Sequence, residues 1–273
     1  MDSLLYGRRR ATNFIVLSLS FAATAAGLLV LFLILWSLLR NGVPALGADI
    51  FTQNTPPPGS RGGLLNAIYG SLVMTTVATL IGTPVGILCG TFLAEFSRSS
   101  RLAMAVRFIN DILLSAPSIV IGLFVYVVMV VPMGHFSAWA GSVALAIIVI
   151  PVVVRTSENM LSLVPASLRE AAFALGTPQW KVVIFVVYRA ALQGMLTGVL
   201  LAVARIAGET APLLFTVAAP TLAMTLLILT DGTQPFPDVQ QTAWTTAFVL
   251  LVFVLALSIA ARLVAWRLTR RAR

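Results

Sequence analysis

Long apolar runs alternate with short polar connections along this chain. Six of these runs occupy residues 14–39, 68–94, 110–132, 138–155, 191–216 and 243–267. Each is near or above the ~20 residues with which a helix crosses about 30 Å of hydrocarbon. Helices are expected because backbone polar groups must be paired within lipid, and no barrel-like alternation is present. The pattern predicts an all-α, polytopic membrane protein with six transmembrane helices in a single domain, residues 1–273.

The composition supports the membrane setting and excludes several classes of enzyme. Of the 273 residues, 59% are hydrophobic and 10% charged, and the mean hydropathy is +0.99. The first apolar run exceeds the roughly 7–15 residues of a signal-peptide core, so it is predicted to be a retained anchor. With one cysteine and one histidine, the chain lacks the parts for an intrachain disulfide, a zinc cluster or histidine-based catalysis.

The basic residues are unevenly divided between the two sides that six spans create. Of the 18 Lys and Arg residues, 15 fall on one side, only Arg40 and Arg61 on the other, and Arg205 within a span. This bias follows the positive-inside rule and predicts that both termini lie in the cytoplasm. The net charge of +9 is thereby explained by topology rather than by nucleic-acid binding. An outer loop at 54–63, rich in Pro and Gly, is predicted to be extended.

One fixed positive charge lies within the fifth apolar run. Arg205 is followed one helical turn later by Glu209, so the two are predicted to share a helix face. A charge at the bilayer centre costs from about 3 to over 10 kcal/mol, and arginine cannot lose its proton. Arg205 and Glu209 are therefore either a structural ion pair or part of an anion pathway. The nearby Gly208 and Pro212 favour the pathway, because they let the helix bend or present backbone.

The longest predicted cytoplasmic connection, about 156–189, carries its own helical pattern. Pro165 suits an early helix position and Gly176 a left-handed helix end, whereas Thr177 and Pro178 indicate the start of a second helix. The apolar stripe expected on the first of these helices comprises Leu168, Ala171, Ala172 and Leu175. This loop is either a knob that another protein grips or a hairpin that only joins two spans.

The same loop carries a resemblance to a known family. Glu170-Ala-Ala-Phe-Ala-Leu-Gly176 matches the Glu-Ala-Ala, three residues, Gly core of ATP-binding-cassette (ABC) import permeases. Segments 155–165, 168–178, 204–216 and 116–124 resemble the A-type permease subunits of bacterial Pst phosphate importers, and the likeness covers the chain from about residue 64 onward. The resemblance implies the MetI-like fold of type I ABC importer permeases.

The resemblance also implies a role for particular residues and a set of partners. Arg155 and Arg205 would serve phosphate transport, with Glu209 beside the second of them. The residues that would fit a cleft on the ATPase are Glu170, Ala171, Ala172 and Gly176. The implied partners are a related C-type permease, an ABC ATPase dimer and an extracytoplasmic phosphate-binding protein. The implied location is the bacterial plasma (inner) membrane.

No catalytic arrangement is recognisable in the chain itself. Its single lysine, Lys181, has no glycine-rich run before it, so there is no phosphate-binding P-loop. A non-catalytic subunit without a cofactor is expected, with ATP and Mg²⁺ bound by the partner ATPase. The alternatives are a permease for another oxyanion, such as sulfate or molybdate, and a proton-coupled anion carrier that uses Arg205 and Glu209. A scaffold without a pathway is a further alternative, for which two intramembrane charges are an unnecessary cost. For Arg155, marking the cytoplasmic end of span four remains an alternative to contacting substrate.

Overall fold

The computed structural model describes residues 2–55, 62–97, 100–217 and 219–271. Within these ranges the regular structure is helical, without strands. The centre of the Pro-rich outer loop, 56–61, lies outside the described residues, so its predicted extended form stays a prediction.

Among the residues that the structure describes, five long helices have the length and apolar character of membrane spans. The first is α1 (Asp2–Gly42), which is followed by the short α2 (Asp49–Thr52). The second is α3 (Leu65–Thr91), continued by a π-helical segment, Phe92–Phe96. The third and fourth long helices are separated by a loop described below, and the fifth is the last helix of the chain.

The predicted third span is the one that is not a straight helix. It consists of α4 (Arg101–Ser115) and α5 (Ser118–Val125), the latter extended by a π-helical segment, Tyr126–Val130, and by α6 (Val131–Met133). The two halves meet at an angle of 104°. Pro117 explains the break, because it disfavours helical geometry at the preceding residue and lacks a backbone donor. The six predicted spans are therefore five long helices and one bent pair.

The next helices bound the loop in which the family motif lies. Helix α7 (Ala138–Ser162) is followed by α8 (Ala166–Ala174) and α9 (Gln179–Val182). A π-helical segment, Val183–Val187, continues α9 into α10 (Tyr188–Ala207), and together they form one span. We call the side of the bundle where α8 lies the α8 end.

The remaining helices lie beyond the end of α10. Short helices α11 (Ala211–Thr216) and α12 (Met224–Gly232), with a 3₁₀ turn at Pro220–Leu222 between them, fold back against the bundle. They precede the last span, α13 (Pro237–Arg271). The predicted fifth span, 191–216, was therefore placed too far along the chain, because the helix begins at Gln179 and ends at Ala207.

Helix α7 is the centre of the bundle, with 61% of its most apolar window buried, compared with 0% for α1. Glycines allow α3 and α7 to approach closely, since a Cβ on Gly82, Gly86 or Gly90 would lie 2.6–2.8 Å from side-chain atoms of α7. Small residues four apart are typical of close helix packing in membranes. The atoms that these three Cβ positions would meet belong to Val149, Val153 and Ser157. Because both sets of numbers rise together, α3 and α7 run in the same direction.

Helix α10 packs on another face of α7 and runs the opposite way. A Cβ on Gly194 would meet Met160 at 2.2 Å, and one on Gly198 would meet Thr156 at 2.1 Å. Thus α7 has glycine-lined contacts on two of its faces, and it places the residues of α3 and α10 at defined heights relative to each other.

Candidate anion pathway and coupling loop

Arg205 and Glu209 form an ion pair at the end of α10. The Nε atom of Arg205 lies 3.6 Å from Oε1 of Glu209, and their side chains are 49% and 18% exposed. The predicted pairing is confirmed, but the two residues do not share a helix face. Helix α10 ends at Ala207, so Glu209 follows the helix rather than belonging to it.

Hydrogen bonds satisfy backbone groups on both sides of the break after Ala207. Gly208 donates its N–H to the Arg205 carbonyl at 3.2 Å, and Glu209 donates to the Ile206 carbonyl at 3.2 Å. The Thr225 hydroxyl on α12 donates to the Glu209 carbonyl at 3.1 Å. The guanidinium of Arg205 therefore belongs to the last turn of a helix, where the partial negative charge of unpaired carbonyls favours a cation.

A second break in the bundle lies beside the first. Arg205 lines a small cavity together with residues on both sides of the α4–α5 bend and with α7. Among the lining residues are Leu114, Ala116 and Val152. Helices α5 and α11 meet closely, because a Cβ on Gly122 would lie 2.5 Å from the Cα of Pro212. Two discontinuous helices thus meet at the arginine, an arrangement that supplies irregular backbone and helix ends inside a membrane protein.

Arg155, on α7, forms a second ion pair, with Asp111 on α4. Its Nη1 atom is 3.9 Å from Oδ1 of Asp111 on α4, and the two side chains are 49% and 58% exposed. The predicted end of span four at residue 155 was wrong, since α7 continues to Ser162. The polar residues after Arg155 remain helical because they pack against the neighbouring glycines, as Thr156 does against Gly198. Arg155 is thus about two turns inside the helix.

The two arginines are brought to neighbouring parts of the molecule. Val152, which lines the cavity with Arg205, precedes Arg155 by about one turn of α7. Leu114, on the other wall, follows Asp111 by about one turn of α4. Both ion pairs are loose, single contacts with half-exposed guanidinium groups. A guanidinium held this way can exchange a carboxylate for another anion at low cost.

Two tighter ion pairs at the α8 end were not anticipated from the sequence. Nε of Arg107 lies 2.7 Å from Oε1 of Glu158, and Nη2 of Arg169 lies 2.5 Å from Oε1 of Glu95. Glu95 and Arg169 are 74 positions apart, so no local pattern signals their contact. Both pairs are more buried than those of Arg155 and Arg205, which separates pairs that hold helices together from pairs that face open space.

The residues predicted to contact an ATPase lie on α8 and at its end. Glu170 and Ala171 are exposed, whereas Ala172 is half-buried and packs on the cluster that contains Leu161, Val182 and Val187. Of the predicted apolar stripe, only Ala172 packs against the bundle, and Leu175 is 86% exposed. Helix α8 therefore leaves apolar side chains exposed on its surface.

Gly176 ends α8 as predicted. Its φ of +74° is left-handed, its N–H donates to the Phe173 carbonyl at 2.9 Å, and the Thr177 N–H donates to Ala172 at 3.4 Å. This pair of bonds is a Schellman motif, and it requires the conformation that glycine adopts most readily.

The second predicted helix of the loop differs from expectation. The residue before it is Pro178, rather than Thr177, and the helix begins at Gln179 as the first turn of the fifth span. The loop between spans is therefore 163–178, shorter than the predicted 156–189, with α8 as its one complete helix. The loop therefore contains one helix, α8, instead of the two that the sequence predicted.

Comparison with known proteins identifies similar chains over nearly the whole length. Residues 82–270 match the family model for the inner membrane component of binding-protein-dependent transport systems. A Pasteurella multocida (strain Pm70) protein named phosphate transport system permease protein PstA is 53% identical over 273 residues, covering 96% of this chain and 98% of that protein. A protein of that name from Haemophilus influenzae is 52% identical over 272 residues, covering 96% of both chains.

Solved structures share the fold at low identity. A bacterial alginate ABC transporter in complex with its periplasmic protein aligns with a TM-score of 0.65 and 14% identity, covering 95% of both chains. The MetNI methionine ABC transporter aligns with a TM-score of 0.62 and 23% identity, covering 77% of this chain and 96% of that one. At these identities the likeness establishes the fold alone. It confirms the all-α, MetI-like fold of type I ABC importer permeases that the resemblance implied.

Proposed function

The chain belongs to the family of inner membrane components of binding-protein-dependent transport systems, and we propose that it is the permease subunit of an ATP-driven phosphate importer. The curated relatives at 53% and 52% identity carry the name of phosphate transport permeases. The observation that carries the proposal is Arg205, a half-exposed, fixed positive charge at a helix break inside a membrane protein.

The charge of Arg205 is suited to binding phosphate weakly during transport rather than to holding it tightly. Phosphate loses hydration when it enters a narrow passage. One guanidinium at about 4 Å, at an effective dielectric near 20, returns on the order of 4 kcal/mol per negative charge. Glu209 lowers the energetic cost of holding this cation inside the protein and limits how tightly the anion is held. A pathway must bind weakly enough to release its ion, so partial neutralisation suits transport.

Arg155 extends the same positive region along α7. Its pair with Asp111 is longer than that of Arg205 with Glu209, at 3.9 Å against 3.6 Å, and both partners are about half exposed. Phosphate approaching Arg155 competes with a weakly held carboxylate. The two arginines thus supply successive positive charges to the translocation pathway, of which this chain forms half and a related C-type permease the other half.

ATP hydrolysis belongs to a partner, and α8 is the surface on which that partner acts. The apolar side chains that α8 leaves uncovered, Leu168, Phe173 and Leu175, need a protein surface to bury them. An ABC ATPase dimer docks there, with ATP and Mg²⁺ bound in its own sites. An extracytoplasmic phosphate-binding protein delivers substrate at the opposite side. The subunit itself is non-catalytic and lies in the bacterial inner membrane, with both termini in the cytoplasm.

The function is tested with the assembled complex. The chain is co-expressed with its C-type permease and ATPase, reconstituted into liposomes, and supplied with the phosphate-binding protein and ATP. We expect uptake of labelled phosphate that requires ATP and is not reduced by excess sulfate or molybdate. Uptake driven by a proton gradient in the absence of the ATPase would establish a carrier instead, and uptake of sulfate in preference to phosphate would establish a different oxyanion.

A further inference from the structure

The contact between Arg169 and Glu95 is a joint between α8 and the spans. The guanidinium of Arg169 makes a bidentate contact with the Glu95 carboxylate. Its Nη2 donates to Oε1 at 2.5 Å and its Nε donates to Oε2 at 3.1 Å. This two-point geometry fixes direction as well as distance, because both groups are planar. Arg169 lies on α8, directly before Glu170, whereas Glu95 lies in the π-helical segment that ends the second span.

The same guanidinium also binds the end of α7. It donates to the carbonyl of Leu161, near the end of α7, at 2.8 Å and to that of Val164, just after the helix, at 2.5 Å. Gln179, the first residue of α9, donates its side-chain N–H to the Glu95 carbonyl at 3.1 Å. One joint therefore connects α8 to the ends of α3 and α7 and to the start of the fifth span.

Apolar packing holds α8 weakly by comparison. A cavity of about 180 Å³ lies between α8 and the bundle, lined on its two sides by Phe173 and Val183 among others. Ala172 is the α8 residue that packs on the buried cluster beneath it. With so little packing, the orientation of α8 depends on the Arg169–Glu95 joint.

The burial of this pair distinguishes a positioning role from simple stabilisation. Arg169 and Glu95 are 12% and 6% exposed, the lowest values among the four ion pairs found in the described part of the chain. Removing two charges from water is costly, and apolar residues of similar volume stabilise a fold as well or better. What the charged pair adds is a fixed geometry between α8 and two span ends.

We propose that Glu95 and Arg169 are positioning residues that transmit movement of α8 to the α3–α7 pair. The inference rests on the proposed docking of an ATPase on α8. The glycine contacts of α3 with α7 make these two helices move together, and α7 carries Arg155 of the anion pathway. On its other side α8 leads to the fifth span through the left-handed turn at Gly176. A movement of α8 therefore reaches α7, and with it Arg155, through the Arg169–Glu95 joint.

The test measures coupling in the reconstituted transporter with its partner permease, ATPase and binding protein. Glu95→Gln removes the charge while keeping the shape of the side chain. We expect the ATPase to copurify with the variant as with the wild type, while the phosphate imported per ATP hydrolysed falls by about fivefold or more, the lower range of coupling between sites. Arg169→Lys keeps the charge but loses the planar guanidinium. Its ratio of phosphate imported to ATP hydrolysed should lie between those of the wild type and Glu95→Gln.

Glu158→Gln is the matched control. Glu158 is also a partly buried acid paired with an arginine at the α8 end, but its partner, Arg107, lies on α4 rather than α8. Its substitution should leave the ratio of phosphate to ATP unchanged, even if less protein is recovered. A role of Glu95 in stability alone would lower the recovery of protein and leave the ratio at the wild-type value.

Two results would overturn the proposed positioning role of Glu95 and Arg169. A wild-type ratio in assembled Glu95→Gln overturns the proposal. If neither Glu95→Gln nor Arg169→Lys inserts and assembles, the pair acts in folding and the proposal is also overturned. Failure of the proposed function is seen separately, as a wild-type complex that does not bind an ATPase or does not import phosphate with ATP.

Discussion

The Arg205 guanidinium lies 3.6 Å from the Glu209 carboxylate, although the helix that carries Arg205 ends between them, at Ala207. The pair thus crosses a helix end instead of lying along a helix face. A helix end has free carbonyls that stabilise a cation, and the backbone after it can follow irregular paths. Both features make the site more adaptable than an ion pair within a continuous helix.

Removing the positive charge at this site should abolish most transport. We expect Arg205→Gln to lower ATP-driven phosphate uptake by at least about tenfold, which corresponds to about 1.4 kcal/mol, well within the electrostatic stabilisation of one guanidinium. Arg205→Lys should retain more activity, because it preserves the charge. Uptake is measured in proteoliposomes, together with copurification of the ATPase.

Arg189→Gln is the control for this substitution. Arg189 is an exposed arginine at the other end of the same helix, α10, and should not be needed for passage of the anion. Normal uptake by Arg205→Gln would mean that the Arg205–Glu209 pair is structural and that phosphate passes elsewhere.

Substituting Arg155 and Asp111 one at a time distinguishes a contact of Arg155 with phosphate from a need for the ion pair itself. A loose, half-exposed ion pair contributes at most about 1 kcal/mol to stability. If Arg155 contacts phosphate, Arg155→Gln should lower uptake severalfold, whereas Asp111→Asn should leave the Tm of the complex almost unchanged and retain uptake. Equal losses from the two substitutions would contradict a substrate contact, since they would show that the pair itself is needed.

The left-handed turn at Gly176 predicts a specific defect in coupling. A β-branched residue is poorly accommodated at φ +74°, at a cost of about 1–2 kcal/mol. Gly176→Val should therefore insert normally but lose ATP-driven uptake and substrate-stimulated hydrolysis, both measured after reconstitution.

Gly134 provides the matched control, because it has a similar φ of +71° and, like Gly176, nothing within 4 Å of an added Cβ. Gly134→Val has the same backbone strain far from α8 and should keep its coupling. If the two variants behave alike, the effect of Gly176→Val comes from strain rather than from a role in docking.

The glycine contacts between α3 and α7 predict a loss of stability. A Cβ on Gly86 would lie 2.6 Å from that of Val153, so Gly86→Leu must push the helices apart. Overpacking of this kind typically costs about 1–3 kcal/mol. We expect a lower Tm for the purified complex in detergent. Val85→Leu is the control, because Val85 is exposed, and a comparable loss in Val85→Leu would contradict the packing explanation.

The topology is tested by labelling in intact cells with a membrane-impermeant thiol reagent. In a Cys89→Ala background, Phe236→Cys should be labelled from outside and Ala174→Cys should not. Both positions are exposed in the structure, so accessibility alone does not decide the result. Strong external labelling at residue 174 would place α8 outside the cell and remove the basis for docking an ATPase there.

The positions of most spans were predictable because a transmembrane helix is a local structure. Its length follows from consecutive apolar residues, and its backbone bonds form within the segment. The end of α8 at Gly176 was equally local, since it depends on one residue that readily adopts positive φ. The spacing of Gly82, Gly86 and Gly90 was a further local signal, present in the sequence, that predicts a close helix contact.

Helix ends and partners were decided by contacts distant in sequence. The span predicted to end at Arg155 continues to Ser162, where its polar residues meet α3 and α10. The helix that carries Arg205 ends at Ala207, although the apolar run continues to residue 216. An apolar run records which residues tolerate lipid, but it does not record where a helix bends or which face meets which neighbour.

The sequence alone thus determined that the chain crosses a membrane several times, that the basic residues fall mainly on one side of the spans, and that an arginine lies within an apolar segment. Hydrophobic length and charge act over one segment at a time, so these features are readable in order along the chain. Only the tertiary structure joined Glu95 to Arg169 across 74 positions and placed the break after Arg205 beside the bend between α4 and α5. Such contacts depend on how the helices pack after they have formed. Packing is set by the surfaces of segments that are distant in sequence, so it cannot be read from one segment at a time.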